Sequence, residues 1–289
     1  MNSPPSPGRA AILLLAGLLL CAGDARAEDT ATSEAIVYRE DVVYGRVHGA
    51  GLLADIAYPK AKSDKPLPAI VSVHGGRWRG GHKKDGSTIK VKQWAGFGFF
   101  AMSIDYRLVG ASPAPACYQD FQCAIRYVHA HADQYKIDKR RIFVIGQSAG
   151  GHLVSLAATI GDGPWKRTGG WEEADNEIAA AISVAACYEL PTLSWGNIWT
   201  PAGRGLNLDQ ARKQASPVYH VKKDMVPLMI MHSDNDRSVP IDNALLMVEA
   251  LKKADARRKF HRYPKLGHMG IIKEVIDRSL EFIEKISAE

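Results

Sequence analysis

The stretch Arg141-Ile142-Phe143-Val144-Ile145-Gly146-Gln147-Ser148-Ala149-Gly150-Gly151-His152-Leu153-Val154-Ser155-Leu156-Ala157-Ala158 decides how this chain is read. Its first five residues are a β-branched and apolar run, the pattern of a buried strand. Its last six read as a helix. Between the two, Ser148 stands with a glycine two residues before it and another two residues after it. A serine so placed between strand and helix is a nucleophile elbow. The turn forces the serine into a strained backbone conformation, and only neighbours without side chains leave room for it. The hydroxyl then stands proud of the sheet, in front of a helix N-terminus that stabilises negative charge. The same five-residue pattern also describes a plain tight turn with a solvated serine, so the reading rests on context and on the partners of Ser148.

Working outward, strand-like runs recur with helices between them. Residues 42–47 and 53–58 read as an antiparallel opening pair. Continuous apolar runs follow at 69–73, 99–104, 142–145, 178–185 and 228–231, with a last strand at 259–263. Uninterrupted apolar runs are what a parallel sheet buried on both faces requires. Helical patterns fall at 116–135, 148–160, 243–253 and 271–286. The alternation predicts an α/β fold: a mostly parallel central sheet with helices on both faces. In such sheets ligands bind beyond the carboxyl ends of the strands. One region, about 188–226, is rich in Pro, Gly, Asn and Trp and has no clean period. It reads as a small cap or lid insertion, since long irregular inserts in compact domains are usually functional.

Three further loops follow strand ends. After Val73 comes His74-Gly75-Gly76-Arg77-Trp78. Its paired glycines let backbone N–H groups approach a ligand, so Gly75, Gly76 and Ala149 are the expected donors of an oxyanion hole. His74 reads as a structural residue that shapes the loop. After Met231 come Asp234 and Asp236. A carboxylate here orients a histidine and stabilises its cation. Asp236 is favoured, because Asp234 is simply explained as a turn residue. After Tyr263 comes Gly267-His268, a histidine on a glycine loop that suits a general base better than it suits packing. His82, His152 and His261 lack that context. The order Ser148, Asp236, His268 is the one found when this triad sits on a strand–turn–helix elbow.

The chain resembles an α/β-hydrolase of the esterase/lipase superfamily, and most closely the acetylxylan/feruloyl bifunctional esterases and the hormone-sensitive-lipase-like carboxylesterases. The residues that carry this are Asp41-Val42-Val43-Tyr44-Gly45, Leu53-Ala54-Asp55-Ile56, His74-Gly75-Gly76-Arg77-Trp78, Asp105-Tyr106-Arg107-Leu108, Gly146 to Leu153, Asp236-Arg237-Ser238-Val239-Pro240 and Gly267-His268. Arg77 stands where the usual H-G-G-G run has its third glycine. The resemblance implies a serine esterase that forms an acyl-enzyme on Ser148 with no metal or organic cofactor. Its substrates are acetyl or feruloyl esters linked to plant polysaccharide, or small short-chain esters. Arg77, Trp78, Trp195 and Trp199 are the candidates for the substrate pocket. Two rivals use the same scaffold. One is a serine peptidase or amidase, against which stands the lack of a large accessory domain. The other is a binding protein on an inactive hydrolase frame, which predicts a missing triad member.

Residues 1–27 are expected outside this domain. Arg9, the apolar run from Ala10 to Ala22 and Ala25-Arg26-Ala27 form a basic region, a short hydrophobic region and a cleavage site, the layout of a signal peptide. Export to the periplasm or beyond the cell follows, with a catalytic domain at 28–289. The apolar run is too short to span a membrane. The formal net charge is +6, but its lysines and arginines are scattered rather than striped with aromatics, which argues against nucleic acid as a partner. Cys117 and Cys123 fall on one predicted helix, six residues and about 9 Å of helical rise apart, too far to bridge. Free buried thiols are expected there and at Cys187. Oligomeric state is not encoded in any of these patterns.

Overall fold

The computed structural model describes Met1 and residues 35–61, 65–201 and 207–289. The expected leader at 1–27 lies, Met1 apart, outside the described residues. Eight strands form one sheet: β1 (Ile36–Val47), β2 (Ala50–Pro59), β3 (Leu67–Val73), β4 (Phe100–Ile104), β5 (Ile137–Gln147), β6 (Ala180–Val184), β7 (Leu228–Ser233) and β8 (Arg258–Tyr263). Their order across the sheet is β1-β2-β4-β3-β5-β6-β7-β8. β1 and β2 pair antiparallel, as do β2 and β4, and every pairing from β4 through β8 is parallel. This is the α/β architecture that the alternating pattern predicts.

Apolar runs bury both faces of the sheet by alternation. Ala69, Val71 and Val73 of β3 face one core while Ile70 faces the other. Leu228 and Ile230 of β7 divide from Met229 and Met231 in the same way. The first core is covered by α2 (Ala116–Ala130), α4 (Ala149–Ile160) and α6 (Ile241–Lys253), the second by α1 (Val91–Gly96) and α7 (Lys273–Ser287). β8 closes one edge with Arg258, Lys259 and Arg262 exposed, charges that discourage further strand pairing.

Two details differ from the sequence pattern. The single helix expected over 116–135 is broken: α2 ends at Ala130, His131 leaves helical geometry at φ −106° and ψ 13°, and α3 (Ala132–Tyr135) adds one turn. The segment after β6 carries more order than its composition suggests. It holds short 3-10 turns at Leu190–Thr192, Gly196–Ile198 and Pro217–His220, and α5 (Leu208–Gln214), where Asn207 caps the first turn by accepting from Gln210 N at 3.1 Å. The segment is fastened to the body. His152 Nε2 donates to Ala215 O at 2.6 Å, and Asn243 Oδ1 accepts from Tyr188 N and Glu189 N at 2.5 and 3.2 Å.

Cys117, Cys123 and Cys187 are buried free thiols, and burial pushes each well above the ordinary thiol range. No helix among the described residues is long and apolar enough to cross a membrane.

Candidate active site

β5 delivers Ser148 to the carboxyl edge of the sheet, and α4 starts one residue later. The serine sits at φ 54° and ψ −117°, outside the comfortable range of any L-residue with a side chain. Strain of this kind costs about 1–3 kcal/mol and persists only where the surroundings fix it. They do. Ser148 N donates to Val184 O at 2.8 Å, and Ser148 O accepts from His152 N at 2.9 Å. A Cβ on Gly146 would fall 2.3 Å from the carbonyl of Gly150, and one on Gly150 would fall 2.1 Å from Val73 O. The glycines are therefore demanded by backbone packed on backbone. Ser148 is 4% exposed, at the mouth of the α4 N-terminus.

The acid and the histidine meet as expected. His268 Nδ1 lies 2.8 Å from Asp236 Oδ2. The other carboxylate oxygen accepts from Ser238 N and Val239 N at 2.8 and 2.9 Å. Burial pushes the Asp236 carboxyl up, but the hydrogen bonds from His268 and the two amides outweigh it and hold the group below its ordinary value. Asp236 is thus held as an anion beside His268. Asp234 points elsewhere, to an exposed pair with Arg262. The loops after β7 and β8 are stitched together: Leu266 N donates to Ser233 Oγ at 2.8 Å, and Gly267 N to Asn235 Oδ1 at 2.7 Å. Gln147 Nε2 donates to Met269 O at 2.9 Å. That bond ties the residue before Ser148 to the residue after His268. His268 keeps 29% of its side chain exposed.

One contributor has no strong sequence signal. His232, at the end of β7, is fully buried with Nε2 on Val239 O at 2.9 Å and 3.5 Å from Asp236 Oδ2. Burial depresses its pKa, so it is a neutral strut beneath the acid loop. Its place directly after the apolar run of β7 is the only hint the sequence carries.

The loop after β3 corrects one expectation. Gly75 N donates to Ser87 Oγ at 2.9 Å, so this amide is turned toward the 85–87 loop and is not a hole donor. Gly75 matters instead for closeness, since a Cβ there would lie 3.3 Å from Ser148 Cβ. Gly76, Arg77 and Trp78 follow at φ 97°, 53° and 58°. Among the described residues the amides of Gly76 and Ala149 donate to no protein acceptor. His74 is structural, as expected: it is buried, its Nδ1 contacts Gly75 O at 2.8 Å, and its ring stacks on Tyr106 at 4.0 Å. The Tyr106 hydroxyl donates to His74 O and Gly75 O, both at 3.2 Å.

The pocket candidates separate. Trp78 and Trp199 are 0% and 1% exposed and pack edge-on with His152 at 5.1 and 5.0 Å. They are core residues, and the expectation that they line the pocket is corrected: their indoles pack on each other at 5.4 Å and on His152. Trp195 is half-buried, with Nε1 on Ser238 O at 3.0 Å. Arg77 is exposed and lies over its ring. Among the described residues no group of three or more His, Cys, Asp or Glu side chains is placed to hold a metal ion.

The profile of a family described as BD-FAE matches residues 54–251. The probable carboxylic ester hydrolase LipM of Mycobacterium tuberculosis is 30% identical over 234 residues, which cover 75% of this chain and 53% of LipM. Esterase LipC of the same organism is 27% identical over 248 residues, covering 80% and 60%. The chain thus spans about half the length of the curated relatives it matches. Among solved structures, the butyrate-bound esterase Est2 of Thermogutta terrifontis superposes with a TM-score of 0.71 at 25% identity, covering 86% of this chain and 94% of its own. The acetyl ester-xyloside bifunctional hydrolase of Caldicellulosiruptor lactoaceticus gives a TM-score of 0.68 at 26% identity, covering 81% and 89%.

Proposed function

The chain belongs to the BD-FAE family and has the α/β-hydrolase fold, and from that premise we propose that it hydrolyses carboxylic esters through Ser148, His268 and Asp236. The observation that carries the reading is the Asp236–His268 bond at 2.8 Å, tied through Met269 and Gln147 to a serine held at φ 54°. In the first half-reaction Ser148 Oγ bonds to the ester carbonyl carbon while His268 takes its proton. The carbonyl oxygen becomes an anion that the amides of Gly76 and Ala149 receive, with the α4 N-terminus behind them. The carbon–alkoxy bond then breaks, and the proton passes from His268 to the leaving alcohol. In the second half-reaction His268 takes a proton from water, the hydroxide adds to the acyl carbon, and Ser148 leaves with that proton restored. Asp236 stays ionised and holds the imidazole in the tautomer that works.

The proposed substrates are acetyl or feruloyl esters of plant polysaccharide, or small short-chain esters. Support comes from the butyrate named with one solved neighbour and the acetyl ester named with another. The 188–226 segment is the proposed cap over them. Export is proposed from residues 1–27 alone. The test of the reading is Ser148→Ala. It is expected to reduce turnover of p-nitrophenyl acetate by at least about 10³-fold and to abolish labelling by a fluorophosphonate, with an unchanged urea midpoint. Retained turnover in the folded variant refutes the assignment.

A further inference from the structure

Where related loops carry a third glycine, this one carries a cation at the rim of the site. The Arg77 guanidinium carbon lies 5.1 Å from the centre of the Trp195 ring. Trp195 is itself fixed, since its Nε1 is held by Ser238 O, two residues beyond Asp236, and its ring packs on Trp78 at 5.7 Å. The stack therefore joins three pieces around Ser148: the loop after β3, the 188–226 segment and the loop after β7. A guanidinium in cation–π contact with an indole still has N–H groups to offer, and its planar fork matches a carboxylate with two bonds. Among the described residues no carboxylate pairs with Arg77. Arginines elsewhere do find acids: Arg107 with Asp120, Arg167 with Asp162, Arg278 with Glu274. Two more exposed arginines, on the loops after β3 and β7, form no ion pair among the described residues. Arg79 lines a hollow of about 250 Å³ with Asn197 and Ile198, and Arg237 directly follows Asp236. Asp236 itself is buried and held by His268, so it is not the partner of Arg77.

We propose that Arg77, stacked on Trp195, is a carboxylate receptor and that the site favours esters carrying a carboxylate close to the scissile bond. This rests on the hydrolase reading of Ser148. The carboxylate belongs either to the acyl half, as in a half ester of a dicarboxylic acid, or to the alcohol half, as in an O-acetylated uronic acid. In both cases paired N–H···O bonds form to a planar fork already held in place, so little side-chain freedom is lost on binding.

Two matched pairs test this: 4-nitrophenyl hemisuccinate against 4-nitrophenyl butyrate, and an O-acetylated methyl glucuronoside against the corresponding glucoside, each corrected for spontaneous hydrolysis. The wild type is expected to favour the anionic member of one pair by about tenfold in kcat/KM, carried mostly by KM. Added salt is expected to erode that preference. Arg77→Gln removes it, and Arg77→Lys keeps part of it, because charge survives while the planar fork does not. The pair that responds assigns the half. A guanidinium that merely clamps the 188–226 segment predicts that Arg77→Gln alters both members of each pair equally, and that result overturns the proposal. Turnover of the neutral esters with no preference in either pair also overturns it and leaves the hydrolase reading intact. No turnover of any of the four esters overturns the hydrolase reading and this one with it.

Discussion

Two bends of left-handed backbone meet at this site, and they are held by different means. The elbow at Ser148 is walled by backbone: Gly146 against Gly150, Gly150 against Val73, Ser148 N on Val184 O. The loop through Gly76, Arg77 and Trp78 is walled by backbone at Gly76, where a Cβ would fall 2.1 Å from Gly80 O, but it also leans on side chains that come from far along the chain, with Ser87 on the Gly75 amide and Tyr106 on two carbonyls. A bend fixed by backbone contact leaves its signature in adjacent residues, because only glycine fits. A bend fixed by distant side chains leaves almost none. The difference also bears on function. The first bend presents the proposed nucleophile and tolerates no change of shape, whereas the second admits an arginine at φ 53° where a glycine is usual.

The largest expected effect is steric. Gly150→Ala puts a methyl group 2.1 Å from Val73 O and 2.7 Å from His74 O, backbone atoms that cannot step aside. Gly75→Ala first meets Gln147 Oε1, the end of a side chain that can swing. Urea unfolding is expected to show a loss of about 3 kcal/mol or more for Gly150→Ala and about 1–2 kcal/mol for Gly75→Ala. Turnover should fall in the second variant nonetheless, since the displaced Gln147 gives up its bond to Met269 O. Equal costs at the two glycines would mean that the Gln147 side chain cannot swing aside and that Gly75 is walled as rigidly as the elbow.

That contrast also explains what the sequence reveals and what it hides. The elbow, the order of strands and helices, and the choice of Asp236 over Asp234 are legible because each is set by local pattern: apolar period, paired glycines, position after a strand. The direction of the Gly75 amide is hidden because its acceptor, Ser87, is twelve residues away on a loop with no period of its own. The burial of Trp78 and Trp199 is hidden for a related reason. An indole serves a core as well as a pocket, and only the packing around His152 decides between them. The helix α5 is short, and its Asn207 cap is its one clear local signal.

A buried histidine stands beside each bend, and the pair offers a pH test. His152, one turn into α4, is held down to a pKa of about 4 by burial, with Nε2 on Ala215 O. His74 is depressed for the same reason, burial. Between about pH 6.5 and pH 4 the unfolded chain takes up a proton at His152 that the folded chain refuses, so stability falls as pH falls through that window. The loss from His152 alone is roughly 3 kcal/mol. Asp236 acts lower on the scale. Its folded pKa is depressed, so its contribution is present above pH 3.8 and is lost only below that. Urea midpoints at pH 7 and pH 4.5 should therefore differ widely in the wild type and much less in His152→Phe, which starts lower but has nothing to protonate. An undiminished difference in the variant would locate the acid sensitivity in the other histidines that burial depresses, His74, His232 and His261, rather than in His152.

The smallest effect probes the prop that the elbow lacks. Tyr106→Phe removes one hydroxyl shared between His74 O and Gly75 O, while the ring remains stacked on His74. Gly75 O keeps its contact with His74 Nδ1, so the orphaned group is the carbonyl of His74. The expected cost is about 1 kcal/mol in urea. Turnover is the sharper readout. The Gly76 amide sits one peptide beyond the carbonyl that Tyr106 fixes, and an oxyanion donor a few tenths of an ångström out of place weakens the transition state more than the ground state. A several-fold fall in kcat with KM unchanged is the predicted split. Unaltered kcat would mean that the backbone contacts of Gly76 with Gly80 hold the loop without help from the Tyr106 hydroxyl.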